Sequence, residues 1–429
     1  TDGIRPPSEP AARSSSWDGR ASVRIGRRKL LLIAGAAVLL VLIGVLLAWR
    51  FTGGGGDVQG STTGFVATDS APPRPRGAWP EYGHDAARTR ADTVLTNLRP
   101  PYRRLWTHDT GSLMEFPPVI VDDRVIGGAN DGHTFALDLR TGRRLWRTQV
   151  QGLIASSPAV ADDVAYFTTT KGRLVALRAS TGERIWVRTL GRSSESSPLV
   201  IDGSVYVGTL DHDVMRLDAR TGRRIWTAKT GGDVKSSLAE SGPNVIASDY
   251  AGEIRAFAKS DGRVVWTRQS PSERFKGPGR FYAGPAVAHG RVYTGNINGK
   301  IVALQADTGS VAWVHTLDDY VYSSAAVANR TVYVGSYDHH LHALDAVTGK
   351  ERWSFDTGER ISGSATVIGD IVYVSTLAPK GALGVTYGLD ARTGKRLWTF
   401  PDGRYTSAVA VDDTLVVVGR TTLYGFTPR

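Results

Sequence analysis

Eight tryptophans set the frame of this chain: Trp106, Trp146, Trp186, Trp226, Trp266, Trp313, Trp353 and Trp398, separated by 40, 40, 40, 40, 47, 40 and 45 residues. A period near 40 residues filled with short strands is a propeller signature, in which each repeat is one blade that buries its faces only against its neighbours. Within each unit the order is the same. A short apolar run follows Ser-Ser-Pro; then come a turn with Asp or Gly, a Val-Tyr-Val strand, a second turn, an Ala-Leu-Asp strand, a Thr-Gly turn and the Trp strand. The third unit reads SSPLV, IDGSVYVGT, LDHDVMRLDA and RTGRRIW. Its alternation at Val205, Tyr206 and Val207 suits half-buried strands, and Gly208 and Gly222 suit tight turns. Four antiparallel strands per unit are predicted, and the 49 Gly, 11 Trp and 15 Tyr against 2 Met favour such an all-β body over a helical one.

Seven complete units run from Phe116 to Trp398, and an eighth, Tyr405 to Phe426, has three strands and no Trp strand. The missing strand lies at the other end of the domain, where Tyr102-Arg-Arg-Leu-Trp106 precedes the first full unit. Pairing of that segment with Thr422 to Phe426 is expected to close a ring of eight blades and remove an exposed strand edge.

The run Ala136-x-Asp138-x-x-Thr141-Gly142-x-x-x-Trp146 resembles the tryptophan-docking repeat of the quinoprotein-like propeller family. The frame recurs at Asp218, Thr221, Gly222 and Trp226, at Ala343, Asp345, Thr348, Gly349 and Trp353, and at Asp390, Thr393, Gly394 and Trp398. Degenerate copies carry Arg178, Ala258 or Gln305 in the Asp place and Asp261 in the Thr place. The segment WPEYGHDAARTR, Trp79 to Arg90, is similar to the leader of that family. The resemblance covers residues 79–429 and implies an all-β, eight-bladed β-propeller of four-stranded antiparallel blades, with the eight tryptophans as structural docking residues. It divides the expectation for function. Some members are dehydrogenases that hold pyrroloquinoline quinone (PQQ) and calcium on the ring axis; others, the barrel-assembly lipoproteins of outer membranes, carry no cofactor and bind proteins.

Ahead of the repeats, Leu30 to Trp49 is an uncharged apolar run of 20 residues. At 1.5 Å per residue it matches a hydrocarbon core roughly 30 Å thick, so one transmembrane helix is expected. Arg24, Arg27, Arg28 and Lys29 flank it on one side and Arg50 alone on the other, which places the N-terminus in the cytoplasm. A cleaved signal peptide is the rival, but LLAWRFTGGGG offers no small-x-small site. The expected organisation is a basic cytoplasmic tail at 1–29, the helix at 30–49, a Gly/Pro-rich linker at 50–78 and the propeller at 79–429. The protein is thus expected at the cell membrane as a single-pass species with its ring extracytoplasmic. The chain begins at Thr1, so a further upstream domain stays open. Without any cysteine the chain has no disulfide, lipidation site, thiol nucleophile or Cys-ligated zinc.

In a propeller the outer-to-inner crossings and the second-to-third turns share one face. The two length departures, SPSERFKGPGRFY and TLAPKGALGVTYG, both fall there, and loops on a rigid scaffold commonly carry binding residues. Residues just before the inner strands should line the axial mouth on that face: Glu115, Ala155, Glu195, Lys235, Tyr282, Tyr322, Ser362 and Thr406, with Tyr405 adjacent. Glu195 and Lys235, on adjoining blades, are expected either to hold a polar ligand or to form a salt bridge across a water-filled hole.

Function follows by elimination. The 40-residue units leave little sequence for an active-site roof, the adjacent cysteines of the methanol-type dehydrogenases are missing, and no compact Asp/Glu/Asn grouping has calcium-ligand spacing. In Tyr337-Asp338-His339-His340-Leu341-His342, His340 and His342 share a strand face, but a metal site would need a further ligand such as Asp338 or His212. Paired arginines, as at Arg143–Arg144 and Arg223–Arg224, recur on the opposite face as solvated turn charge, and no nucleic-acid motif is present. The expectation is a non-enzymatic scaffold without cofactor, metal or catalytic residues, binding a protein or cell-envelope component. The alternatives are a PQQ-dependent oxidoreductase with axial quinone and calcium, and the sensor domain of a larger receptor. Oligomeric state is left open by the sequence.

Overall fold

The computed structural model describes residues 57–67, 77–273, 277–378 and 383–429. The expected tail and transmembrane helix lie outside these residues, and among the described residues no helix is long and apolar enough to cross a membrane. Short β-branched and aromatic runs between Gly and Asp turns form strands because extended backbone packs such side chains well on a pleated surface. Blade 3 shows the pattern, with Leu199–Ile201, Ser204–Gly208, Asp213–Asp218 and Arg224–Lys229 hydrogen-bonded in that order from axis to rim. Its second strand is buried throughout, whereas its outer strand buries Trp226 and exposes the residues beside it.

Seven blades repeat this order along the chain, and the eighth is completed from the other end of the domain. Tyr102–Asp109 pairs antiparallel with Thr422–Pro428, setting Trp106 opposite Gly425. The closure expected from the orphan Trp strand is therefore present, with a longer register than Thr422 to Phe426. Closing the ring this way gives the last blade its fourth strand and covers the edge of Thr422–Pro428.

The tryptophans lock adjoining blades. The Trp106 indole Nε1 donates to the Leu139 carbonyl at 2.7 Å, Trp146 to Ala179 at 2.9 Å, Trp226 to Lys259 at 3.0 Å and Trp313 to Ala346 at 3.0 Å. Each acceptor opens the Thr-Gly turn of the next blade, Asp261-Gly262 in the case of Lys259, whose glycine lies over the ring. A Cβ on Gly142 would stand 2.6 Å from Trp106 Cδ2, and its φ of +66° also favours glycine. The preceding Asp caps the same turn: Asp138 Oδ1 accepts from the Thr141 amide and hydroxyl at 2.8 and 2.6 Å, and Asp218 does so from Thr221 at 2.7 and 2.6 Å. The repeat motif is thus one interblade joint. Trp398 is the exception, because the last blade has no Thr-Gly turn; it packs edge-on against Tyr102 at 5.3 Å and Phe426 at 5.5 Å instead.

Part of the expected linker docks on the ring. Val58 pairs with Val314 on the outer strand of blade 5, and the Gly60 amide donates to Thr348 O at 3.0 Å. Phe65 stacks on His289 at 4.9 Å beneath the guanidinium groups of Arg291 and Arg330. An aromatic that can bury its face between cations has reason to leave solvent, which the Gly/Pro content of the segment as a whole conceals.

Two outcomes follow from the joints. Gly222→Ala places a Cβ 2.8 Å from the Trp186 ring at a φ of +68°, and is expected to destabilise the ring by about 1–3 kcal/mol in urea unfolding. Hydrogen bonds from Thr141 and Thr221 hold the Asp138 and Asp218 carboxyls below their usual range. Their contribution is complete above the unfolded value of about 3.9 and is lost as pH falls through the lower folded values. Melting temperature should therefore drop below pH 4, with a shallower drop in Asp138→Asn/Asp218→Asn.

Candidate functional site

The segment Trp79 to Asp92 runs inside the ring. The Trp79 amide donates to Ile120 O at 2.7 Å and Trp79 O accepts from the Ile120 amide at 2.9 Å. The amides of Val160, Glu240, Val287, Val327 and Val367 donate to the carbonyls of Pro80, Ala86, Ala87, Thr89 and Arg90 at 2.7–2.8 Å. Each of these partners is the middle residue of a three-residue inner strand, so blades 1, 2, 4, 5, 6 and 7 are bonded to the plug. Ala91–Asp92 then adds in parallel to the inner strand of blade 7. The plug winds round the axis by holding His84, Arg88 and Arg90 at positive φ.

Blade 3 is reached by a side chain. Arg88, fully buried, donates from Nη2 to Pro198 O and from Nε to Leu238 O, both at 2.8 Å, and pairs with Glu81 at 3.0 Å. Burial pushes the Glu81 carboxyl up to about 7 against the pull of Arg88. The leader residues therefore form the axial plug, which the sequence reading did not place.

Above the plug lies a cup of about 260 Å³. Trp79, Tyr82, Gly83 and Arg90 contribute to its lining from the plug, and Glu115, Glu195, Lys235, Tyr282, Tyr322, Ser362, Tyr405 and Thr406 from the blades. The structure thus brings together every residue expected at the mouth except Ala155. Lys235 Nζ lies 3.0 Å from Glu195 Oε2, the ion pair expected between blades 3 and 4. Burial opposes the Lys235 charge, but Glu195 and Tyr282 outweigh it and raise its pKa.

The second residue of the Ser-Ser-Pro motif, and the residue equivalent to it in blades 5 to 7, ties the wall together. The Ser157 amide donates to Ser197 Oγ at 3.1 Å, Gly284 to Ser324 Oγ at 2.8 Å and Ser324 to Ser364 Oγ at 2.9 Å, each bond crossing from one blade to the next. Ser364 Oγ also meets the Tyr82 hydroxyl at 2.9 Å, joining wall to plug.

Along the rim, four tyrosine rings run in sequence. Tyr250 and Tyr282 are 5.3 Å apart, Tyr282 and Tyr322 4.8 Å, and Tyr322 and Tyr337 4.8 Å. Lys235 Nζ sits 5.4 Å from the centres of both Tyr250 and Tyr282, and Arg360 lies over Tyr337. Tyr282 and the neighbouring Tyr320 are 41% and 49% exposed, so the arc is open to solvent. Tyr250 and Tyr337 were missed in the sequence although they occupy equivalent second-to-third turns, at SDY and SYD.

The histidine candidates go elsewhere. His342 is held by Asp338 at 3.1 Å and Glu351 at 2.6 Å, so both ring nitrogens face carboxylates. Burial works against its charge, but the two acids outweigh it and raise its pKa. His212 pairs with Asp233 at 3.1 Å. Among the described residues no group of three or more His, Cys, Asp or Glu is placed to hold a metal ion. Arg143, Arg144, Arg223 and Arg224 are exposed on the turns between third and fourth strands.

Ring, joints and axial cup define a quinoprotein-like eight-bladed propeller. The family model described as outer membrane protein assembly factor BamB matches residues 94–199, 130–274, 195–320, 250–399 and 317–428, and the chain belongs to that family. No curated protein sequence matches it. Among solved structures it is similar to quinohemoprotein alcohol dehydrogenase from Comamonas testosteroni, with TM-score 0.69 and 16% identity over 82% of this chain and 80% of that one. It is also similar to BamB from Moraxella catarrhalis, with TM-score 0.65 and 20% identity over 76% and 99%. A europium-containing methanol dehydrogenase gives 0.68 and 14% over 82% and 98%. At such identities the likeness is one of fold.

The quinone and calcium implied for dehydrogenase members can be tested against the cup. Calcium takes six to eight oxygens, with carboxylates prominent among them. Here the lining carboxylates are Glu115 on blade 1 and Glu195 on blade 3, and Glu195 is paired with Lys235. These residues do not fit a quinone–calcium pair.

Arg88→Met leaves Glu81 buried without its partner and is expected to cost about 3–5 kcal/mol in urea unfolding. Glu81→Gln/Arg88→Met should recover a large part of that loss; full additivity would contradict the pairing.

Proposed function

We propose that this chain is a non-enzymatic binding propeller, tethered to the membrane through residues 30–49 with its ring outside the cytoplasm, that holds a protein or envelope component at the axial cup. The observation that carries this reading is the arc Tyr250, Tyr282, Tyr322 and Tyr337 standing over a polar, closed-bottomed cup. Tyrosine supplies large, rigid contact area at low entropic cost and keeps a hydroxyl for hydrogen bonding, which is why it is enriched in recognition surfaces. Lys235 and Glu195 add opposed charges beside it, suited to orienting a polar partner. Membership of the BamB family agrees with a binding role. The oxidoreductase alternative lacks a calcium donor set at the cup.

The test is site-specific photocrosslinking in native membranes from position 282 on the rim and from position 225 on an outer strand. A discrete crosslinked species from 282, absent from 225 and lost in Lys235→Ala/Tyr322→Ala, is expected. Equal yields from the two positions, or quinone- and calcium-dependent dye reduction by the full chain, would contradict it. A tag after Arg429 should be cleaved by protease added outside intact cells.

A further inference from the structure

The plug brings a guanidinium to the cup without a matching anion. Arg90 is 1% exposed; its Nη1 donates to the carbonyls of Arg88 at 2.8 Å and Ala325 at 3.1 Å, and the group lies 4.5 Å from the centre of the Tyr82 ring. Its Nε and Nη2 are buried and have no well-aligned acceptor, the Tyr82 phenol being the nearest polar neighbour, and among the described residues no carboxylate pairs with it. Ser237 Oγ, buried in the wall of the same cup, also has no partner. Buried donors left unmade are costly, and charged ones most of all. Tyr82 responds to the same group: burial alone would raise its phenol, but the Arg90 charge and hydrogen bonds with Ser364, Ser324 and Arg90 itself hold it below its usual value.

We infer that the cup receives the free C-terminal carboxylate of a peptide, its oxygens taken by Arg90 and Ser237 while the chain leaves over Tyr282 and Tyr322. A planar carboxylate matches the guanidinium fork. Glu115 and Glu195 on the walls disfavour a dianion such as phosphate, and the tyrosine rim suits an extended polypeptide. This inference rests on the cup being the binding site proposed above, but it can fail alone.

The experiment offers the immobilised full chain a random hexapeptide pool with free C-terminal carboxylates and the same pool amidated, and quantifies retained peptide by mass spectrometry. The free-acid pool should be retained about tenfold or more over the amidated one. That preference should vanish in Arg90→Gln and in Ser237→Val, which removes the hydroxyl without touching a charge. Acetate should compete better than inorganic phosphate. The acid-versus-amide comparison uses the unaltered chain, so it stands even where Arg90→Gln does not fold. Equal retention of the pools, no retention of either, or stronger competition by phosphate would overturn the inference. Rim-dependent crosslinking from position 282 that persists beside equal retention would leave the binding cup intact and remove the carboxylate alone.

Discussion

A ring of eight blades leaves a hole at its axis, and the backbone hydrogen bonds between Trp79–Asp92 and the inner strands are what turn that hole into a solid. Each inner strand has only three residues, and its axial edge would otherwise present unpaired amides. Buried amides must be paired. The plug's carbonyls meet this need at the middle residue of six blades, while Arg88 reaches blade 3, one of the two that these backbone bonds miss. Six blades are thereby coupled through one strand as well as through their tryptophan joints.

The cup exists because the plug stops where it does. Its side chains floor a cavity whose wall is already stiffened by serine bonds from blade to blade. On that rigid base the residues before each inner strand are free of structural duty. Blades 4 to 6 use them, and the second-to-third turns beside them, for tyrosines; blades 1, 3 and 4 use them for charge. Rigid framework and variable mouth are thus separated along each repeat, an arrangement that lets one fold serve different ligands.

Most of the ring was legible in the sequence because repetition exposes the joint: Asp, Thr, Gly and Trp recur at fixed offsets for a reason visible in one copy. The closing strand was legible too, since an unmatched Trp strand at one end and a blade short of one at the other admit a single pairing. The mouth residues followed from counting back from each inner strand, Ala155 alone falling outside the lining. What stayed hidden is the material without a repeat. Trp79 to Asp92 pairs by backbone carbonyls, which no side-chain pattern announces, and nothing in the sequence around Arg88 and Arg90 marks them as among the most buried side chains. Tyr250 and Tyr337 lie far apart in sequence and meet the rim only through the curvature of the ring. Phe65 is one aromatic in a stretch whose composition suggests a spacer, and its docking depends on Arg291 and Arg330, more than two hundred residues away.

The central claim is that residues 79–92 are an integral part of the ring and floor the cup. Hydrogen exchange of the full chain, followed by mass spectrometry on peptides spanning 79–92 and the inner strands, tests it directly. The account predicts that the amides of Trp79 and Arg90, which bond to Ile120 and Gly83, exchange as slowly as those of Val287, Val327 and Val367, through global unfolding. Exchange of the 79–92 peptides within seconds while the inner strands stay protected would show a segment that leaves the axis freely, and the floor of the cup would go with it.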